Sequence, residues 1–216
     1  VAQDMGLKLN EFGLMPETEL TGLEAAATSL PSKSEEDIYR HLGMKWVTPE
    51  LREDSGEMEA ASAGNLPDLL TMANIRGALH NHTTMSDGEA SLEQMADAAR
   101  RLGWSWLGIA DHSPTLQVAN GASAEDLIAQ HKLMQDYNAQ WEEDGVDFRL
   151  LSGVESDILE NGKLDHPDEI LSQIDYVVAS VHAMGRWRSR DESQNTEELL
   201  KCLDHPATTV LGHPTG

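Results

Sequence analysis

The sequence predicts an α/β fold in which parallel strands alternate with helices, as in a β/α barrel or a doubly wound sheet. Two observations support this prediction. From residue 75 onward, short apolar stretches alternate with longer stretches of helical periodicity. Each predicted strand also ends in a histidine or a carboxylate. The carboxyl ends of parallel strands are where such folds carry their chemistry.

The elements of this region follow one another at regular intervals. Strands are predicted over residues 77–82, 104–110, 148–154, 174–181 and 208–211, and helices over residues 92–102, 123–144 and 196–203. Ser91 and Gln94 have the spacing of a capping box for the first helix. Asn161-Gly162 predicts a hairpin turn after the third strand. The stretch 174–181 is almost entirely apolar, which is typical of a strand covered on both faces.

The first part of the chain has a different pattern. Residues 1–15 predict a strand and a turn, and Ser34-Glu-Glu-Asp37 predicts the start of a short helix that ends near Gly43. An acidic stretch with glycine and proline follows and is typical of a linker. We therefore predict a small α+β segment over residues 1–55, a linker over residues 56–75 and a larger domain over residues 76–216.

The chain is strongly acidic. It has 38 acidic and 15 basic residues, which gives a formal net charge of -23 at pH 7. Nucleic-acid-binding proteins usually carry a basic surface, so this charge weighs against tight, non-specific DNA binding by this chain alone. A solvated acidic surface is the simplest interpretation.

Cysteine content and hydropathy indicate the class of protein. The one cysteine, Cys202, excludes an internal disulfide and is compatible with a reducing compartment, so we expect a cytoplasmic protein. No apolar run approaches the ~18 residues of a membrane span, so we expect no membrane partner. The chain starts at Val1 with neither an initiator methionine nor a signal sequence, which we interpret as the start of a fragment or a processed chain.

His80 and His82 are the first candidate metal ligands. Residues two apart on a strand point to the same side, so both imidazoles can reach one point in space. Asp87 follows in a Ser-Asp-Gly turn that can fold its carboxylate back toward the same region. A His-x-His pair is weak evidence by itself, so the assignment depends on ligands from other strands.

The other predicted strands supply such ligands at the same end. In chain order, these strand ends carry Asp111-His112, Glu155, His182 and His213. Histidines that only fill a core have no reason to lie at the same end of successive strands, so we predict one shared site. The histidines outside this pattern, interpreted as ordinary core or surface residues, are His41, His131, His166 and His205.

The ligand set indicates more than one metal ion. The six His/Glu positions and Asp87 exceed the three or four protein ligands of a mononuclear site. Glu155 is the natural bridge, because one carboxylate can hold two ions about 3.5–4 Å apart. Mixed imidazole and carboxylate ligation suits Mn, Zn or Fe and argues against Ca or Mg held purely by oxygen. We therefore predict two to three divalent metal ions and hydrolysis of a phosphoester, with a bridging hydroxide as the nucleophile.

A family resemblance covers residues 75–216. The motifs that carry it are His80-x-His82, Asp111-His112, Gly153-Val-Glu155, Ser180-Val-His182 and Gly212-His213-Pro-Thr-Gly216. In order and spacing they resemble the motifs of PHP (polymerase and histidinol phosphatase) domains. The resemblance implies a distorted (β/α)7-type barrel with a trinuclear metal site at its carboxyl-terminal rim.

The resemblance also implies a role for each ligand. It places His80, His82 and Glu155 on the first metal, Glu155, His182 and His213 on the second, and Asp87 and His112 on the third. The expected catalytic residues are Glu155, His182, His213 and Asp87. The last family motif, Asp-x-His or a variant, would lie beyond Gly216. We therefore expect a barrel that is incomplete at its C-terminus, in which the first and third metals each lack a ligand.

The N-terminal segment resembles part of a second family. Residues 7–13 and the stretch from Ser34 to Arg52 are similar to the last part of the thumb of family X DNA polymerases. Bacterial and archaeal members carry a PHP domain directly after that thumb, where it is similar to a manganese-dependent 3′-5′ exonuclease with 3′-end-processing activity. The resemblance therefore implies a DNA-repair exonuclease that acts on DNA 3′ ends, with the rest of a family X polymerase chain as its partner.

Two other functions stay open at this point. One is a small-molecule phosphatase of the histidinol-phosphate type, and the other is a non-catalytic PHP scaffold that folds or docks the polymerase.

Asp111 is interpreted as a partner that orients a histidine rather than as a ligand. Arg186 and Arg188 follow His182 on an expected rim loop, where they either grip substrate phosphates or balance the acidic surface.

Overall fold

The computed structural model describes residues 1–17, 24, 27–182 and 187–214. The chain divides into two compact units, Val1–Leu69 and Leu70–Gly216. None of the described helices combines the length and the apolarity that a membrane crossing requires.

The described part of the first unit contains a β-hairpin followed by short helices. Strands β1 (Leu7–Asn10) and β2 (Gly13–Pro16) pair antiparallel, and helices α1 (Glu35–His41) and α2 (Glu57–Ala63) follow. The buried side chains around these helices are Met44, Val47 and Ala61. Helix α2 lies within the predicted linker over residues 56–75. Its residue Ala61 is buried in an apolar cluster with Met44 and Val47, and composition alone does not reveal this packing.

The helix predicted after Ser34 is present, but its cap differs from the expectation. Ser34 makes no side-chain capping hydrogen bond. Asp37 instead accepts a hydrogen bond of 2.8 Å from the backbone N–H of Lys33. The carboxylate thus ties the incoming chain to the first turn of α1.

The second unit is built on one parallel sheet of five strands. Their order in the sheet is the order in the chain, and they are β3 (Gly77–Asn81), β4 (Trp106–His112), β5 (Arg149–Asp157), β6 (Tyr176–Ser180) and β7 (Val210–Gly212). All neighbouring pairs are parallel. Within the described ranges β3 and β7 are the two edges, so the predicted incomplete β/α barrel is confirmed.

Among the described residues, four α-helices connect the strands of this unit. They are α3 (Leu92–Arg101), α4 (Ala124–Glu143), α5 (Asp168–Leu171) and α6 (Glu192–Leu203). The predicted capping box of α3 is confirmed, since Ser91 Oγ accepts from the N–H of Gln94 and Oε1 of Gln94 accepts from the N–H of Ser91. Such boxes satisfy two backbone donors that the first turn leaves unpaired.

The sheet has one face under the helices and one face inside the barrel. Leu107, Ile109, Leu150 and Val154 are buried in the apolar clusters that the helices cover. Because successive side chains on a strand point to opposite faces, the residues between them point into the barrel. This alternation decides which polar side chains reach the site.

Two strands extend beyond their apolar stretches. β4 ends at His112 and β5 at Asp157, so His112 and Glu155 lie inside paired strands instead of following them. Their backbone groups stay paired with neighbouring strands, which fixes both side chains more tightly than a loop would. After β5, Ile158 and Leu164 bridge antiparallel around Asn161 and Gly162, both at positive φ, so the predicted hairpin turn is present.

Candidate metal centre

The site is organised around one buried carboxylate, that of Glu155. Glu155 lies on the central strand of the sheet, and its side chain is 1% exposed. Three imidazole Nε2 atoms surround its Oε1, those of His213 at 2.8 Å, His80 at 3.0 Å and His182 at 3.3 Å. Nδ1 of His112 lies 2.8 Å from Oε2, and Nε2 of His82 lies 3.5 Å from it. Side chains from all five strands or their ends therefore meet at one carboxylate.

Two groups of ligand atoms are close enough to hold a metal ion each. One contains His80, Glu155 and His213, and the other contains His82, His112 and Glu155. Glu155 belongs to both groups, as expected of a bridging carboxylate. The grouping differs from the one that the family resemblance implies, which placed His80 and His82 together.

The backbone of β3 explains this separation of His80 from His82. The pairing register between β3 and β4 shifts between Ala78 and Asn81, and His80 has a left-handed backbone with φ of 62°. The simple alternation of an extended strand therefore does not hold here, and the two rings lie 5.3 Å apart with planes at 51°. Each ring reaches a different oxygen of Glu155.

Asp87 lies at the open side of the site. Its oxygens are each 3.6 Å from an imidazole nitrogen, Nδ1 of His82 and Nε2 of His112, and its side chain is 49% exposed. The turn before Gly88 is tight, since a Cβ at Gly88 would lie 2.6 Å from the carbonyl oxygen of His82. This turn folds the carboxylate back toward the histidines, as the sequence predicts.

Asp111 shapes the loop that carries Asp87. It is fully buried and accepts four hydrogen bonds, from the N–H and Oγ1 of Thr83, from Oγ of Ser86 and from Nε2 of Gln130. Asp111 and His112 are consecutive on β4 and point to opposite faces of the sheet. The hydrogen bonds that Asp111 accepts in the described residues fix this loop and involve no histidine, and the orientation of a histidine by Asp111 stays a prediction.

One functional candidate was missed by sequence reasoning. Asp157 lies two residues beyond Glu155 on β5, and its Oδ1 is 2.9 Å from Nδ1 of His182. The two-residue repeat of a strand places Asp157 and Glu155 on the same face. That repeat is the signal that could have found it.

The imidazoles and carboxylates shift one another's pKa values. Burial alone would raise the pKa of Glu155, but the imidazoles of His112, His182 and His80 lower it well below its usual range. The carboxylates of Asp157 and Glu155 raise the pKa of His182 to about 9. Burial, together with the neighbouring His112, lowers the pKa of His82. Because the imidazoles lower its pKa, Glu155 is ionised at any physiological pH.

Two buried nitrogen atoms at the site lack a hydrogen-bond partner within the described ranges. They are Nδ1 of His82 and Nδ1 of His112, which approaches Glu155 without hydrogen-bond geometry. A buried polar atom without a partner costs free energy unless something else satisfies it. An imidazole nitrogen without a hydrogen-bond partner can ligate a metal ion, so the donor set fits metal binding.

The predicted substrate contacts are only partly described. Arg186 lies outside the described residues. Arg188 is exposed in a short 3-10 turn, Trp187–Ser189, and Arg190 forms an ion pair of 3.2 Å with Glu198. Trp187 packs against the apolar cluster under α6.

Three of the four histidines predicted to lie outside the site have partners elsewhere. Nε2 of His41 contacts the carbonyl oxygen of Pro31, and Nε2 of His205 lies 3.2 Å from Asp168. His131 hydrogen-bonds through Nδ1 to Ser152 at 2.6 Å. His166 is buried.

Comparisons with known proteins give two family matches. The DNA polymerase beta thumb family matches residues 1–53, and the PHP domain family matches residues 78–211. The chain is 37% identical over 216 residues to the DNA polymerase/3′-5′ exonuclease PolX of Bacillus subtilis (strain 168). This alignment covers 100% of this chain and 35% of the relative.

The chain also aligns over shorter stretches with proteins named as probable phosphatases. One from Caldanaerobacter subterraneus subsp. tengcongensis is 31% identical over 144 residues, 65% of this chain and 53% of the relative. One from Clostridium acetobutylicum is 32% identical over 139 residues, 62% of this chain and 52% of the relative. The chain thus spans about a third of the polymerase relative and corresponds to about half of each phosphatase. From these matches and the site geometry, the chain belongs to the PHP domain family, and a segment of the DNA polymerase beta thumb family precedes its PHP domain.

Proposed function

We propose that the PHP domain of this chain is a metal-dependent phosphoesterase that processes the 3′ ends of DNA. The observation that carries this proposal is the environment of Glu155, whose two oxygens face five imidazoles at 2.8–3.5 Å. A buried carboxylate shared by two groups of imidazoles is suited to bridge two metal ions.

The residues that would hold the metal ions follow from the two groups. His80, Glu155 and His213 would hold one, His82, His112 and Glu155 the other, and His182 and Asp87 lie close enough to add ligands. Imidazole with carboxylate suits Mn, Zn or Fe. When bound, such ions supply an activated water and neutralise the charge of a phosphate during hydrolysis.

The protein's own residues prepare the site for an anionic substrate. Glu155 stays ionised and fixed on the central strand, so the spacing of the two groups is set before any substrate arrives. Asp111 holds the loop with Asp87 in place. The side chains of His213 and Asp87 are 43% and 49% exposed, which leaves the rim open to a phosphoester.

The DNA substrate is supported by the N-terminal segment. Residues 1–53 match a polymerase thumb, and the relative that aligns with the whole chain is named as a polymerase and 3′-5′ exonuclease. The net charge of -23 disfavours broad contact with a DNA backbone. We therefore propose that this chain contacts DNA only locally, at the 3′ end, and that the rest of a family X polymerase makes the other contacts with DNA.

A small-molecule phosphatase is the second candidate. It is supported by the relatives named as probable phosphatases, whose alignments cover 65% and 62% of this chain. The two candidates share the metal site and differ in the substrate that the rim accepts.

A comparison of substrates tests the proposal. The chain is loaded with Mn²⁺ and given 3′-labelled DNA primer or histidinol phosphate. Release of nucleotides from the 3′ end is expected, together with a loss of about 100-fold or more in Glu155→Gln, since one amide cannot present oxygen to both groups. Glu198→Gln is the matched control, because Glu198 is another buried carboxylate outside the site. It accepts hydrogen bonds from the backbone N–H groups of Asn161 and Gly162 and forms an ion pair with Arg190.

Each other outcome decides between functions. Release of phosphate from histidinol phosphate alone would support the small-molecule phosphatase. Bound metal without hydrolysis of either substrate would support the non-catalytic scaffold. Unchanged hydrolysis in Glu155→Gln would remove the metal site from the reaction.

A further inference from the structure

Asp157 and Glu155 hold the two nitrogens of one imidazole ring. Oδ1 of Asp157 lies 2.9 Å from Nδ1 of His182, and Oε1 of Glu155 lies 3.3 Å from Nε2 of the same ring. A carboxylate can only accept a hydrogen bond, so the contact with Asp157 places a proton on Nδ1. When the ring gives up its second proton, Nε2 is the nitrogen whose lone pair can face a metal ion.

The position of Asp157 is itself fixed by the sheet. Its backbone N–H donates to the buried Oγ of Ser113 at 3.1 Å, and it pairs in register with Ser180 of β6. Ser180 precedes His182 by two residues, so the carboxylate and the ring are held by the same pair of strands. The ring therefore cannot turn away without breaking a contact that the fold keeps short.

A purely structural role does not account for an aspartate at this position. Asp157 is 8% exposed, and its Oδ2 is buried without a hydrogen-bond partner among the residues that the structure describes. A buried carboxylate with an unsatisfied oxygen costs stability. Asp111, by contrast, has both oxygens saturated by four hydrogen bonds.

The contact also sets His182 apart from other rings at the site. His82 and His112 face a second carboxylate too, that of Asp87, but at 3.6 Å in each case. Asp87 is half exposed on a loop, whereas Asp157 is buried on the central strand. His182 is therefore oriented by the protein before any metal ion is present.

We infer that Asp157 is a positioning residue. It holds the imidazole of His182 in the tautomer and orientation that would present Nε2 to a metal ion bound beside Glu155. This inference rests on the proposed function, because it assumes that the site binds metal. Partners of this kind behind a metal-bound histidine typically change metal affinity by about 10–100-fold when they are removed.

Metal binding by three variants tests the inference without any substrate. The metal-free chain is titrated with Co²⁺, and the visible absorption of the bound ion reports each site. In Asp157→Asn and Asp157→Ala, one equivalent should bind about 10–100-fold more weakly, with an altered spectrum. Asp175→Asn is the matched control, because Asp175 accepts hydrogen bonds from Ser152 between the same two strands but contacts no imidazole of the site.

The tautomer can be read directly by ¹⁵N NMR of the zinc-loaded protein. In the unsubstituted chain, His182 should carry its proton on Nδ1 and bind zinc through Nε2. A proton on Nε2 of His182 would overturn the inference even if both Asp157 variants failed to fold. Unchanged Co²⁺ affinity in Asp157→Asn, or an equal loss in Asp175→Asn, would overturn it as well.

The test separates this inference from the proposed function. If the chain binds Co²⁺, shows the expected tautomer and loses affinity in Asp157→Asn, the positioning role stands even if neither DNA nor histidinol phosphate is hydrolysed. If the chain hydrolyses DNA and Asp157→Asn keeps its metal, the proposed function stands and the positioning role fails.

Discussion

The loop that carries Asp87 depends on one buried carboxylate, and removal of that carboxylate should have a large and specific effect. In Asp111→Ala, the four buried donors on Thr83, Ser86 and Gln130 lose their acceptor. Each buried donor left without an acceptor typically costs about 1–3 kcal/mol, so the free energy of unfolding should fall by about 4 kcal/mol or more. The loop should also lose its fixed geometry, so metal binding should weaken with stability.

Asp111→Asn should be much milder, for a reason visible in the structure. Two donors, the N–H of Thr83 and Oγ of Ser86, share Oδ1, which the amide keeps. The new NH₂ group would face Oγ1 of Thr83, a hydroxyl that can also accept, and Nε2 of Gln130. Oε1 of Gln130 is buried without a hydrogen-bond partner in the described residues. A half-turn of the Gln130 amide then supplies an acceptor, and the cost should fall to about 1–2 kcal/mol.

Urea denaturation of the metal-free chain, followed by circular dichroism, measures both variants against the unsubstituted protein. Metal titration of each folded variant adds the functional readout. Equal destabilisation by Asp111→Asn and Asp111→Ala would refute the hydrogen-bond argument. A stable Asp111→Ala variant with normal metal affinity would refute the role of the loop.

Two further substitutions and one titration test other parts of the site. In Gly153→Ala, the added Cβ would lie 2.5 Å from the Tyr176 ring, so thermal denaturation should show a loss of about 1–3 kcal/mol from overpacking; an unchanged melting temperature would contradict the close packing of this ring against β5. In Glu155→Gln, calorimetry should show fewer equivalents of bound Mn²⁺, and full occupancy would count against the bridging role. The pKa of His182 is raised to about 9 in the metal-free protein, so its protonation stabilises the fold fully below the ordinary pKa of 6.5 and this contribution is lost as pH rises through 9. Metal competes with that proton, so the affinity for Mn²⁺ should increase from pH 6.5 to 9, by up to about tenfold per pH unit; a flat profile would show that His182 is not a ligand.

The sequence alone determined the alternation of strands and helices in the second unit. Apolar stretches of strand length, the capping box at Ser91 and Gln94 and the turn at Asn161-Gly162 are local signals, and each is present in the structure. The convergence of the site could also be predicted. Parallel strands bring their carboxyl ends to one edge, so a histidine or carboxylate at each strand end must approach the others.

The grouping of those side chains was decided only by the tertiary structure. The register shift at His80 depends on how β3 pairs with β4, and it sends His80 and His82 to different oxygens of Glu155. No local pattern in residues 77–82 encodes that shift. Strand alternation predicts the face of a side chain, but a bulge changes it.

The supporting contacts were likewise beyond the sequence. Asp111 holds Thr83 across 28 positions of chain, and Asp157 holds His182 across 25. Such hydrogen bonds depend on which strands and loops become neighbours, and periodicity within one element carries no information about distant partners. The sequence therefore determined which residues reach the rim, and the three-dimensional pairing of strands determined what each of them holds there.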